Sequence, residues 1–560
     1  MRRLNSSRFL LLLLPLWLPV PTTAGGTVPG CPAWETPAEE RWAGATRWLA
    51  LEKAGYRLGE FVIEVRDVYD LEQRPLPWYA RAANFIHIDS RVDTIRNLLT
   101  IAPGETVNAR RVYEAERYLR AQRFLRGAEI APIACHEDGT VDARVTVLDS
   151  WTLRVVFDYR QAGGDTRTLL GLDDMNLLGT GKRLSFRRDS DPERTTSTFL
   201  YSDPSLFGSH WRADIAHDSL SDGSGNRGSL RLPFLSIATT YAIDITYEDT
   251  TNTLTFYEDG DEAWQVGKDT ELQDYRFRHL VFLSGDNGWR AGLGWRHEAH
   301  RYDALMAIDA TLRPPPALDD RTFAGPYVSL ERFHDHFQSF RNLRLMDRVE
   351  DYNLGLDARL LVGRYLRDAG SSREATFLEF DFGYGARLGE YGLLLLTSEN
   401  GARRETSGWR DGSSRSTLNF YYQRQPAHSV LARLRLDWHE RPDPEDEVHL
   451  GGMEGLFAYP TFFRAGTRAW QVHLEDRRIT ERVLFNTLRV GYTTFVEAGR
   501  IRRVTDERWS RTYADAGFGF RFGNLRGAFG QTLYLTVAVP LVKEPGVEPW
   551  SLVLGEIVEF

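Results

Sequence analysis

The chain has 560 residues, with 69 Lys and Arg against 78 Asp and Glu for a net charge of −9, and its basic residues are scattered. That length exceeds one ordinary core, so several domains or one very large closed one is required, and the charge argues against a nucleic-acid partner. A mean hydropathy of −0.40 does not separate a soluble protein from a membrane β-barrel, in which only alternate residues face lipid.

Residues 1–24 carry a basic start, "MRRLNSSR", an apolar run of 13 residues, "FLLLLLPLWLPVP", and small residues for cleavage after Ala24. This pattern predicts a signal peptide, too short to cross a bilayer as a helix. No later stretch approaches the roughly 18 apolar residues of a membrane helix. Residues 25–57 read as a linker with one possible short amphipathic helix in "AEERWAGATRWLALEKAG". Cys31 and Cys135 are the only cysteines. In an oxidising compartment they are read as one disulfide, with lipidation of Cys31 as the alternative.

Residues 58–150 predict a small α+β domain. "FVIEVRDVY" alternates as a strand, and "SRVDTIRNLLT" reads as a helix with a capping box from Ser90 to Asp93. "NARRVYEAERYLRAQRFL" places Val112, Ala115 and Leu119 on one helix face, and "TVDARVTVLD" places Val141, Ala143, Val145 and Val147 on one strand face. The order is strand, helix, helix, strand, strand.

From Trp151 to Phe560 the period becomes two. "WTLRVVFDY", "VLARLRLDW" and "TLYLTVAVPL" each alternate apolar against polar residues, and turn residues separate segments of about ten. Aromatic residues cap strand ends, and "SLVLGEIVEF" brings the last strand to Phe560. These features predict a transmembrane antiparallel β-barrel over residues 151–560, with up to about 20 strands by pattern count. Closure pairs the first strand, with Leu153, Val155, Phe157 and Tyr159, to the last, with Leu552, Leu554, Gly555 and Phe560. Gly555 is read as a weak point of that seam.

An α+β domain of this order ahead of such a barrel resembles the outer-membrane protein insertase and translocase superfamily, whose members carry POTRA domains before a bacterial surface antigen barrel. "NLLGTGKRLSF" (176–186), "YSDPSLFGSHW" (201–211), "RLPFLS" (231–236) and "EDYNLG" (350–355) carry the resemblance over roughly residues 58–560. It implies 16 strands and a lumen-entering loop that in relatives reads close to G-L-R-G-Y-P. Here Gly455, Leu456, Tyr459 and Pro460 match, while Phe457 stands for the arginine and Ala458 for the second glycine. Glu475 and Glu497 match the carboxylates that would receive the arginine. Buried carboxylates need a cation, and Arg464 is the candidate.

No nucleophile elbow and no zinc-binding helix motif occurs, so no catalytic residue, metal or cofactor is assigned. The histidines of "HEAH" (297–300) and "FHDHF" (333–337) are read as solvated polar residues in adjacent strands. The expected function is insertion or translocation of β-rich client proteins at the bacterial outer membrane, with the N-terminal domain in the periplasm. The expected partners are outer-membrane lipid, unfolded outer-membrane or secreted clients and a possible periplasmic accessory protein. The alternative is a passive pore or surface-antigen barrel without insertase activity.

Overall fold

The computed structural model describes residues 28–32, 44–69, 81, 85, 87–162, 165–258, 261–312, 314–315, 317–452, 455–503, 507–527 and 532–557. The signal peptide expected at 1–24 and Phe560 of the expected seam lie outside the described residues.

The N-terminal domain comprises α1 (Ala45–Lys53), β1 (Arg57–Arg66), α2 (Val92–Leu98), α3 (Ala109–Arg120), β2 (Leu125–Cys135) and β3 (Thr140–Asp149). Its sheet has the order β1-β3-β2, with β3 parallel to β1 and antiparallel to β2. The alternation of β3 sends Val141, Ala143, Val145 and Val147 into the core, where Val112, Ala115 and Leu119 of α3 meet them. Asn108 caps α3 by accepting from Arg111 N at 2.9 Å. Cys31 and Cys135 are joined by a disulfide, with Cα atoms 5.0 Å apart.

Two local expectations change. The helix expected within the 25–57 linker is α1, and it belongs to the domain: Trp48 and Leu51 are buried in its core, and Trp48 Nε1 donates to Ile130 O at 3.1 Å. The capping box at Ser90 does not form, because Arg91 takes the cap position without a side-chain hydrogen bond. Ser90 instead binds a tertiary partner, Asp149, through both its backbone N–H and its hydroxyl.

The remaining strands are β4 (Leu153–Ala162), β5 (Asp165–Asp174), β6 (Arg183–Ser190), β7 (Thr195–Asp203), β8 (Arg212–Leu220), β9 (Gly223–Leu232), β10 (Tyr241–Glu258), β11 (Asp261–Ser284) and β12 (Asn287–Tyr302). They continue with β13 (Met306–Ala307), β14 (Arg321–His334), β15 (Phe337–Arg341), β16 (Val349–Asn353), β17 (Leu356–Tyr365), β18 (Ala375–Leu388), β19 (Gly392–Glu405) and β20 (Gly408–Gln425). The last are β21 (His428–Glu440), β22 (Val448–Leu450), β23 (Arg464–Leu484), β24 (Leu488–Arg503), β25 (Tyr513–Asn524), β26 (Thr532–Pro540) and β27 (Ser551–Ile557).

From β4 to β27 the chain closes an antiparallel barrel of 20 strands. The short β13 and β22 only extend hydrogen-bonded edges, and β15 and β16 form a separate hairpin. The expectation of 16 strands is therefore corrected to 20, since each alternating segment is a full strand bonded on both sides. The faces that read as apolar in the sequence point outward. Leu153, Val155 and Phe157 are exposed, as are Leu436, Trp438, Val537 and Val539, while Arg154, Asp173, Asp437 and Arg521 are buried inside. A barrel with apolar residues outside and ion pairs inside suits a hydrocarbon surround and not water. No helix among the described residues is long and apolar enough to cross a membrane.

The rim nearest the N-terminal domain is termed proximal and the other distal. The β14–β17 connection, carrying the β15–β16 hairpin, enters the lumen from the proximal side. Leu343 is buried against Leu393, Tyr421 and Leu431 of the inner wall. From the distal side the β21–β23 connection, residues 441–463, folds inward.

Closure is short. Among the described residues β27 pairs with β4 at four positions, Leu552 to Gly555 against Gln161 to Asp158, whereas β4 pairs with β5 at ten. Tyr159, Leu552, Leu554 and Gly555 lie on the seam. Among the described residues Leu153, Val155 and Phe157 pair with β5 and not with β27. Gly555 packs so closely on the Asp158 carboxylate that a β-carbon there would collide with it, so glycine is what lets the charged wall residue fit.

Candidate functional site

The 441–463 connection is built to turn into the lumen. Gly455 has φ of 130°, a conformation L side chains rarely adopt, and an added β-carbon would strike the Gln471 side chain. Leu456, Ala458 and Tyr459 are fully buried against Phe495, Tyr513 and Ala538 of the wall. Tyr459 Oη lies 3.0 Å from Ala514 O and 2.9 Å from Val542 O. The Pro460 carbonyl packs under Gly451.

Sheet register supplies the receiving groups. His473 of β23 lies directly opposite Glu497 of β24, and Glu497 directly opposite Asp515 of β25, so three polar side chains form one row across the inner wall. Glu497 Oε2 accepts from Phe457 N at 3.0 Å, and Asp515 Oδ2 accepts from Ala458 N at 2.9 Å. The loop is thus anchored by two backbone amides. The Phe457 ring packs against Phe495 at a tilt of 54°, with centroids 5.5 Å apart, and lines a small cavity with Arg160 and Val553 of the seam.

The expected role of Arg464 is corrected. Its guanidinium lies over the Phe463 ring and forms an ion pair with Glu544 at 4.0 Å. The carboxylates are served instead by His473 and Arg477. His473 Nδ1 is 2.6 Å from Glu497 and its Nε2 is 3.2 Å from Glu475, so as a cation it donates to both. Arg477 donates to Glu475 at 2.6 Å and to Leu343 O of the proximal insertion at 2.9 Å. Thr493 completes Glu475 at 2.6 Å. Among the described residues Glu475 forms no hydrogen bond or ion pair with the loop itself. It is a link in a column, Glu497, His473, Glu475, Arg477, that runs from the distal loop to the proximal one. Parity in "VHLEDRR" already set His473, Glu475 and Arg477 on one face. What it lacked was the knowledge that the face is internal.

Near the distal rim the same connection carries Asp443, Glu445, Asp446 and Glu447. Arg403 pairs with Asp443 at 3.0 Å, and Glu445 receives Lys268, Tyr302 and Arg321. Burial, then the charges of Asp411, Glu445 and Asp443, push the Asp446 carboxyl up to about 7, and burial pushes Glu447 to about 7. A carboxyl raised on folding favours the folded loop when protonated. For Asp446 that contribution is complete below its ordinary value of 3.8 and is lost as pH rises through about 7. Protease cleavage within 441–463 is therefore expected to be several-fold faster at about pH 8.5 than at about pH 5.5. The Asp446→Asn, Glu447→Gln double variant should flatten that dependence. An unchanged pH profile would contradict the assignment.

The N-terminal domain docks on the proximal turns through the motifs singled out in the sequence. In the 176–181 turn, Gly179 O accepts from Arg91 N and Thr94 Oγ1, each at 2.9 Å, and Asn176 Nδ2 donates to Ser90 Oγ at 2.9 Å. Ser90 Oγ donates in turn to Asp149 at 2.6 Å. In the 205–210 turn His210 Nε2 lies 3.2 Å from Leu99 O. "EDYNLG" supplies Asp351, which receives Arg120 of α3 at 3.1 Å.

The histidine motifs separate. Although β12 and β14 are neighbours, their register sets His300 opposite Arg321 near the distal end and His334 opposite Asn287 at the proximal end. The first motif therefore never meets the second.

No protein-family model and no curated protein matches the chain. Among solved structures it is similar to CdiB from Acinetobacter baumannii, at 12% identity over 90% of this chain and 74% of that one, with a TM-score of 0.44. It is similar to CdiB from Escherichia coli, at 14% identity over 89% and 76%, with a TM-score of 0.42. It is also similar to BamA from Haemophilus ducreyi lacking POTRA domains 1-3, at 14% identity over 90% and 85%, with a TM-score of 0.37. At these values the likeness assigns neither a family nor an activity.

Proposed function

We propose that the chain is a bacterial outer-membrane barrel that inserts or translocates β-rich client proteins. The four-rung seam carries this reading. Among the described residues the β4 edge from Leu153 to Phe157 lies beyond those rungs, and its backbone N–H and C=O groups are read as what a client strand takes up by β-augmentation, with client folding as the energy source. No covalent step is needed. The outward apolar belt suits outer-membrane lipid. The N-terminal domain is read as a POTRA-like periplasmic receiver, because β1 and β2 are the outer strands of its sheet. A periplasmic accessory protein fits the same edges.

The passive-pore reading is less well supported, since segments from both rims occupy the inner wall. The discriminating experiment pairs Tyr159→Cys with Leu554→Cys, directly opposed on the seam. Oxidation of this variant is expected to abolish client assembly in proteoliposomes, and each single variant should remain active. Full assembly through a locked seam sinks the proposal. Steady conductance with an unchanged outer-membrane proteome on deletion would establish the pore.

A further inference from the structure

The proximal rim brings together three residues with metal-ligand chemistry from two different turns. His334 ends β14, His336 follows it by two positions, and Asp286 sits in the β11–β12 turn. The ladder places His334 opposite Asn287, and Asp335 N donates to Asp286 O at 2.8 Å, so backbone hydrogen bonds hold the two turns side by side. One ligand atom from each of Asp286, His334 and His336 lies within 4.8 Å of the others, and all three residues are partly buried. The imidazole centroids are 5.7 Å apart, inclined by 34°.

Two imidazoles and a carboxylate are the donor set of an open zinc-type site, with metal–ligand distances of about 2.0–2.2 Å and one position left for water. Modest rotamer adjustment closes three atoms from this separation onto one ion. Among the described residues two other groups approach each other comparably, but one holds a single imidazole and the other none. Asp149 is taken by Ser90, and Asp411 and Asp443 face Arg403.

We propose that Asp286, His334 and His336 form a binding site for a divalent transition-metal ion of the zinc class, in competition with Arg110 for Asp286. Arg110 of α3 donates to the Asp286 carboxylate, and also to Asp335 Oδ2 at 2.7 Å and Asp335 O at 3.0 Å. A divalent ion on Asp286 would stand beside a guanidinium, so the two cations oppose each other at one carboxylate. Metal binding at this site therefore weakens one of the ties between the N-terminal domain and the barrel, while the Asp335 contacts remain. The site is independent of the proposed insertase activity, which the test does not measure.

The test uses the full-length chain in detergent, without a histidine tag and freed of metal by chelation. Titration with Zn²⁺ by calorimetry and with Co²⁺ by visible absorption is expected to give one equivalent bound. The double variant His334→Ala, His336→Ala and the single variant Asp286→Asn should each weaken binding at least about tenfold. Arg110→Ala should tighten it several-fold. Should the histidine variants misfold, protection of His334 and His336 from diethylpyrocarbonate by Zn²⁺ in the unmodified chain, read by mass spectrometry, serves in their place. Absence of stoichiometric binding, unchanged affinity in the folded variants, weaker binding in Arg110→Ala or lack of protection each overturns the site.

Discussion

Replacing Asp149 by alanine is expected to release the N-terminal domain from the barrel and to lower the stability of the domain by about 3 kcal/mol or more. Asp149 is fully buried at the end of β3. Its Oδ2 accepts from Ser90 N at 2.7 Å and lies 3.2 Å from His87 Nε2, while its Oδ1 accepts from Ser90 Oγ at 2.6 Å. Alanine leaves these donors without an acceptor in a site closed to water, and each buried unsatisfied donor costs about 1–3 kcal/mol. The damage spreads because Ser90 Oγ is also the acceptor for Asn176, the first residue of the docked turn. Limited proteolysis at the 149–152 junction and denaturant unfolding followed by Trp fluorescence report the two effects. Asp149→Asn keeps the volume and one acceptor oxygen, so its loss should be smaller. A variant as protease-resistant as the parent would show that the other rim contacts suffice for docking.

Replacing Glu497 by alanine is expected to free the lumen loop. Glu497 holds the Phe457 amide and balances His473, so its removal leaves a buried N–H without an acceptor and a histidine with one carboxylate fewer. Removal of one member of a buried ionic pair costs about 3–5 kcal/mol. The expected result is rapid protease cleavage between 451 and 463 and unfolding at lower temperature, read by the heat-dependent gel mobility of the barrel. Arg464→Ala is the control that separates the two readings of the site. Its guanidinium lies over Phe463 and forms an ion pair with Glu544, not with Glu475 or Glu497, so the loop should stay protected. If Arg464→Ala released the loop and Glu497→Ala did not, the carboxylate row would not be the anchor.

Much of this architecture was legible from local pattern. Val141, Ala143, Val145 and Val147 announced the buried face of β3, and Val112, Ala115 and Leu119 that of α3, because helix and strand periods are properties of the chain alone. The alternation of "VLARLRLDW" likewise marked two faces for β21. Long-range partners were not legible. Ser90 and Asp93 have the spacing of a capping box, yet Asp149, 59 residues away, takes Ser90 because burial makes that bond worth more than a solvated cap. Arg464 is near the loop in sequence and His473 is not, yet only His473 lies in register with Glu497.

By itself, the sequence determined an α+β domain followed by a β-barrel with apolar and polar faces on every strand, and it singled out 455–460 as an aperiodic insertion. Only the tertiary structure decided which face is outside, that 20 strands close the wall, that β27 meets β4 at Leu552–Gly555, and that backbone amides hold the loop. The physical reason is that periodicity is a one-dimensional signal, whereas register across strands and the sharing of a buried carboxylate between distant donors arise only once the sheet has closed.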